Sequence, residues 1–219
     1  NNHPILSDPD AAPIEGIDVV ITESTYGDRK HETPEELFAE ELNAAFKRGG
    51  TVLIPAFAVD RTEVILMKLR ELIDNKQIPN VPIYVDSPMA LTALDYYREA
   101  ITSESHEIRE NIHEQFHDQD PFDPGTLYQM RTTEESIKIN DVQGNAIIIS
   151  ASGMATGGRV VHHLQQLLPD PKNTIMLVGF QAAGTRGRSL EEGQKQLKMY
   201  GQWIPVNAHI AKIGSFSVH

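Results

Sequence analysis

The sequence predicts an α/β fold with a largely parallel sheet flanked by helices on both faces. Apolar, β-branched runs recur along the chain, segments of helical period lie between them, and each run is delivered into a turn or helix signal. A chain of 219 residues, 40% hydrophobic and 23% charged, can bury the core that such a sheet needs, which excludes a disordered or fibrous protein.

The runs read as buried strands are Asp18 to Glu23, Thr51 to Pro55, Val81 to Asp86, Asn145 to Ser150 and Thr174 to Gly179. Thr33, Pro34 and Glu36 give an N-cap, a proline in the first turn and a capping-box acid. Leu37, Leu42, Ala45 and Phe46 then form one apolar face, which Gly49-Gly50 ends. A second helix is predicted from Asp60 to Asp74 on Val64, Ile65, Leu69 and Leu72. Asp118 to Gly125, rich in Asp, Pro and Gly, reads as a surface loop, and Val160 to Leu164 as a further helical run.

No apolar run approaches the roughly 20 residues of a membrane span, and the opening residues carry no secretory leader, so the expected setting is soluble and cytoplasmic. With no cysteine, disulfides and thiolate metal sites are excluded, and a metal would need His, Asp or Glu. The net charge of −12 argues against a generally basic nucleic-acid-binding surface. That average hides a gradient: Ala151 to His219 holds 7 Lys and Arg against 3 Asp and Glu, or +4, leaving −16 on Asn1 to Ser150. A polyanion is tolerated only near the C-terminal third.

In parallel sheets ligands gather at the carboxyl ends of the strands, so chemistry is expected just after each run. The last two such loops, Ser150 to Arg159 and Gly179 to Arg188, are rich in glycine and end in arginine. Glycine lets backbone N–H groups approach an oxyanion, and arginine can close on phosphate oxygens bidentately. The same residues also suit tight turns and carbonyl caps. Two such loops in the only basic part of the chain favour a phosphate cradle that Arg159, Arg186 and Arg188 could close, with Ser152, Gly153, Arg159, Thr185 and Arg186 as the candidate RNA phosphate contacts.

Five ordered blocks closely resemble the β-CASP nucleases of the metallo-β-lactamase superfamily. They are Glu23-Ser-Thr-Tyr-Gly, Val52 to Arg61, Tyr84 to Ala90, Ser150-Ala-Ser-Gly-Met with Gly158 to Leu164, and Val178 to Thr185. The resemblance implies a β-CASP domain that sits within a metallo-β-lactamase domain of an RNA-cleaving enzyme, with two zinc ions at the junction. Glu23 falls at the family's first β-CASP motif, a carboxylate that orients a metal-site histidine. His219, closing Ser215-Phe-Ser-Val-His219, falls at the second and is implied to be catalytic and a metal ligand in the intact enzyme.

The family's His-x-His-x-Asp-His cluster is absent from this sequence. The resemblance therefore implies a β-CASP domain without most of its metallo-β-lactamase core, inactive and zinc-free alone. Residues 1–32 are expected to be the end of that core and the junction, 33–205 the β-CASP domain, and 206–219 the return into the core. Its partners are then RNA, the missing metallo-β-lactamase domain, and a second copy docking through the exposed junction. Residues 1–16 and 207–219 are expected to belong to the other domain's surface.

Other readings compete. His113-Glu-Gln-Phe-His117 matches the His-Glu-x-x-His pattern of zinc proteases, although Asp118-Gln-Asp-Pro follows at once and no third ligand is evident. A catalytically silent β-CASP module binding RNA or protein is the other alternative. Adjacent His162 and His163 cannot share a helix face and, like His209, read as structural rather than as ligands.

Overall fold

The computed structural model describes residues 3–8, 15–22, 24, 36–116, 119–214 and 216. Six strands form one parallel sheet in the order β3-β2-β4-β1-β5-β8. They are β1 (Thr51–Pro55), β2 (Ile83–Val85), β3 (Leu127–Gln129), β4 (Ala146–Ser150), β5 (Thr174–Leu177) and β8 (His209–Lys212). β6 (Gln196–Met199) and β7 (Gln202–Pro205) make a separate antiparallel hairpin.

The sheet is buried on both sides, which is why its central strands read as unbroken apolar runs. Successive side chains point to opposite faces. Val52, Ile54, Ile147 and Ile149 pack under α1 (Glu36–Arg48), α2 (Arg61–Asp74) and α3 (Pro88–Thr102). Leu53, Ile148, Ile175 and Leu177 pack under α6 (Arg159–Leu167), α7 (Arg186–Glu191) and the hairpin. The short α4 (Glu110–Gln115) joins the first face through Ile112, and α5 (Thr133–Lys138) leads from β3 back to β4. Among the described residues no helix is long and apolar enough to cross a membrane.

Local chemistry explains the element ends. Gly49 closes α1 at φ 74°, a left-handed value that suits glycine, and its N–H bonds the Phe46 carbonyl. The predicted cap of α1, Thr33 with Pro34, lies outside the described residues. Ser87 caps α3 by accepting the Ala90 N–H at 3.2 Å, with Pro88 in the first turn. Thr132 and Glu135 make a reciprocal capping box on α5.

One sequence expectation is corrected, and the described residues near both ends pack on this sheet. Asp18 to Thr22 forms no strand: Val19, Val20 and Ile21 are 74%, 76% and 94% exposed, because no described strand lies beside them to complete a ladder. Within 206–219, β8 pairs with β5 in register, Thr174 opposite His209 and Leu177 opposite Lys212, so His209–Lys212 forms an edge of this sheet. The opening residues are also held by this chain. Ile5 is buried in the core, Leu6 bridges Ile108, and Arg109 donates to the carbonyls of His3 and Leu6. The two ends pack here because Ile5, Ala211, Ile213 and Phe216 complete the first apolar face.

Candidate functional site at the carboxyl ends of the strands

β1 and β4 are parallel neighbours, yet the segments that follow them depart to opposite faces of the sheet, α2 to one and α6 to the other. Such a divergence opens a crevice at the strand ends. Its floor is closed by the loop after β1 meeting the loop after β4: a Cβ on Gly153 would lie 3.1 Å from the ring and backbone nitrogen of Phe57. Glycine at 153 is what permits that approach.

The loops after β4 and β5 are joined. Gln181, buried after β5, donates from Nε2 to the carbonyls of Gly153 at 3.1 Å and Gly179 at 3.0 Å. The Gly187 N–H reaches the Met154 carbonyl at 3.1 Å. A Cβ at Gly187 would fall 1.7 Å from Gln181 Oε1, so the two loops interlock only because residue 187 has no side chain. Arg186 Nη1 donates to the Thr156 carbonyl at 2.8 Å. Thr185 caps α7, accepting the Arg188 N–H at 3.2 Å, while Ser152 Oγ accepts the Thr156 N–H at 3.3 Å. Four of the five phosphate candidates, Ser152, Gly153, Thr185 and Arg186, thus lie on two joined loops.

Arg159 goes elsewhere. Its Nη1 donates to Asp86 Oδ1 at 2.7 Å and to the Met130 carbonyl at 2.8 Å, tying the start of α6 to the ends of β2 and β3. Asp86 is fully buried and also accepts from His163 Nε2 and Ser136 Oγ, each at 2.6 Å. Burial works to raise the Asp86 pKa, but these hydrogen bonds outweigh it and hold the carboxyl below the usual aspartate value. Both Asp86 and His163 lie in the β-CASP-like blocks, Asp86 in Tyr84 to Ala90 and His163 in Gly158 to Leu164, but nothing in their spacing signals that they pair.

A second polar cluster sits where the opening segment meets α2. The N–H groups of Ile5 and Leu6 donate to His3 Nδ1, which leaves Nε2–H to donate to Asp60 Oδ1 at 2.6 Å. Tyr97 donates to the same oxygen at 2.9 Å. Asp60 precedes α2 but does not cap it, because its side chain is spent on these two partners. Burial works to raise its pKa too, yet the bonds from His3 and Tyr97 hold it low; burial and the Asp60 charge push the Tyr97 phenol up. Glu63 lies one turn on, wholly buried with no side-chain partner on either oxygen. Burial, aided by the nearby Asp60 charge, pushes its pKa up to about 8.

Arg61 is buried too and donates to the Val178 carbonyl at 2.8 Å, fastening α2 to the end of β5. Glu23 and His219 lie outside the described residues. Among the described residues no three His, Asp or Glu side chains gather to hold a metal. In the zinc-protease pattern, α4 ends at Gln115, His113 Nε2 donates to the Ser105 carbonyl at 3.0 Å, and His117 lies outside the described residues. His209 donates to Glu41, so it is engaged as a structural residue.

A model of the Beta-Casp domain matches residues 62–190. The chain is 36% identical to a ribonuclease of Thermus thermophilus and 36% identical to an RNase J-like protein of Methanocaldococcus jannaschii, over 98% and 96% of its own length. It is 35% identical over 98% of its length to the transcription termination factor FttA of Pyrococcus horikoshii. The chain spans 49%, 48% and 34% of the lengths of these relatives. With the matched model covering more than half of the chain, and the strand-end loops folded into one interlocked edge, the chain belongs to the β-CASP family of the metallo-β-lactamase superfamily.

Proposed function

We propose that this chain is the RNA-handling part of a cytoplasmic, zinc-dependent ribonuclease, in which the joined loops after β4 and β5 position the RNA backbone for phosphodiester hydrolysis. The observation that carries the reading is the Arg186–Thr156 tie, which places an arginine at the meeting point of two glycine-rich loops with the hydroxyls of Ser152 and Thr185 on the same loops. Ser152, Thr185 and Arg186 serve as backbone contacts, while Gly153 and Arg159 hold the loops in place. The ribonuclease names of two relatives support the substrate class.

The described residues do not form a zinc site, so the metal falls to residues outside them. There Glu23 would orient the imidazole of His219, which would help to hold the metal, and the metal would supply a polarised water. The exposed run Val19-Val20-Ile21 fits a strand that pairs with the remainder of a longer polypeptide.

The test is a titration of single-stranded RNA across a range of salt. Arg186→Ala should weaken binding about tenfold and reduce the salt slope by roughly one counterion. Unchanged affinity would remove the proposed contact. The 219-residue chain should hold no stoichiometric zinc and cleave nothing, whereas the longer polypeptide should do both. A silent RNA-binding module would bind and still not cleave at full length.

A further inference from the structure

The hairpin carries a feature the proposed cradle does not use. From Gly193 to His219 the sequence has no Asp or Glu and three Lys, in a chain with 31 acidic residues. β6 and β7 pair in register, Lys198 opposite Trp203 and Leu197 opposite Ile204. Leu197, Met199 and Ile204 are buried toward α6, with exposed Gln202 opposite Met199 on that same face, whereas Gln196, Lys198, Trp203 and Pro205 face outward. Trp203, 60% exposed, contributes no packing to the core.

At the tip, Tyr200 and Gly201 both adopt left-handed φ values, 47° and 79°, which makes a two-residue turn that normally favours Asn or Gly at its first position. A tyrosine held there is costly, and such outliers cluster at functional positions. Its ring is 56% exposed and stacks on exposed His162, with centroids 4.7 Å apart and planes 21° apart. Beside the stack opens a groove of about 510 Å³ lined by Asn140, Arg159 and Gln166 among others.

The charges single out one class of ligand. Arg188 and Lys212 are paired with Glu192 and Glu191, but Lys195 and Lys198 make no ion pair among the described residues. The outward face thus offers the Trp203 ring beside the Lys198 ammonium and the Gln196 amide, with the Tyr200–His162 stack at its tip and no carboxylate within either strand. A protein-binding patch would be depleted of lysine at its centre, whereas Lys198 lies directly opposite Trp203. Rings interleaved with cations suit bases stacked along a phosphate backbone.

We propose that the hairpin β6–β7 is a binding surface for single-stranded RNA, with bases stacking on Trp203 and on the Tyr200–His162 pair and a phosphate meeting Lys198. The inference rests on the RNA reading above and adds a second stretch of contact to it.

Trp203 is the one tryptophan of the chain, so its emission reports the surface directly. Adding a short oligoadenylate to the 219-residue chain should quench that emission saturably, and salt should reverse the quenching. Trp203→Gln should weaken binding of a labelled oligoadenylate, read by anisotropy, about tenfold. Tyr200→Asn, which suits the turn and keeps the fold, should weaken it about fivefold. If labelled RNA binds while the emission and both variants stay unchanged, the surface is refuted and the RNA reading stands. No binding at all refutes both. Emission that changes with protein concentration alone assigns the face to a second copy and overturns the proposal.

Discussion

The guanidinium of Arg159 lies 2.7 Å from the carboxylate of Asp86, a wholly buried acid that follows a different strand 73 residues earlier. An arginine that the sequence offers as a phosphate contact therefore neutralises an internal charge. Removing one partner of such a pair leaves the other charge buried without compensation, which costs about 3–5 kcal/mol.

Arg159→Ala should accordingly lower stability by a few kcal/mol, read as a drop of several degrees or more in Tm. Arg186→Ala, whose guanidinium meets only loop carbonyls, should shift Tm little and act on RNA binding instead. An Arg159→Ala chain with native stability and lost RNA affinity would reverse these assignments.

The Asp86 carboxyl has a folded pKa below its unfolded value, so its contribution is complete above the unfolded pKa and is lost as pH falls through the folded one. His163→Ala should therefore bring acid unfolding to a higher pH. Urea titrations at pH 7 and at progressively lower pH check this, and parallel curves for the two proteins would contradict it.

Glu63 has the opposite sign. Its folded pKa of about 8 lies well above the ordinary value for a glutamate, so folding favours the neutral acid. Stability on its account is complete below the unfolded pKa and falls by about 1.4 kcal/mol per pH unit until the folded pKa is passed. Glu63→Gln, which cannot ionise, should be more stable than the parent at pH 9 and comparable near pH 4. A difference independent of pH would show that Glu63 is already ionised in the fold.

Gly187 and Gln181 should be energetically coupled. Gly187→Ala places a methyl on the Gln181 amide and should cost about 1–3 kcal/mol. In the double variant with Gln181→Ala part of that loss should return, because the obstructing group is gone. Strict additivity in a denaturation cycle would mean that the loops do not interlock through this pair.

Much of the architecture was legible in the residues. Thr51 to Pro55, Asn145 to Ser150 and the helix from Asp60 to Asp74 declare themselves by runs and periods a few residues long, and the structure places β1, β4 and α2 there within one residue at each end. The glycines of the two strand-end loops, Gly153 and Gly187 among them, read as oxyanion or turn positions, and the structure uses these two for close approach between loops. α3 was signalled by Ser87-Pro88 but is absent from the sequence reading, because its apolar positions follow a turn that reads equally as loop.

What the sequence alone determined was local: which segments run straight, which turn, and which blocks define the family. Tertiary structure decided the destinations. Asp18 to Thr22 has the composition of a strand and no ladder, whereas the short His209–Lys212 is a sheet edge, because strand pairing depends on a neighbour supplied from elsewhere. His3 meets Asp60 across 57 residues and Arg159 meets Asp86 across 73, distances over which composition carries no register. Such contacts are selected when the sheet closes and a buried carboxylate must find donors, and only the folded chain shows which donors are within reach.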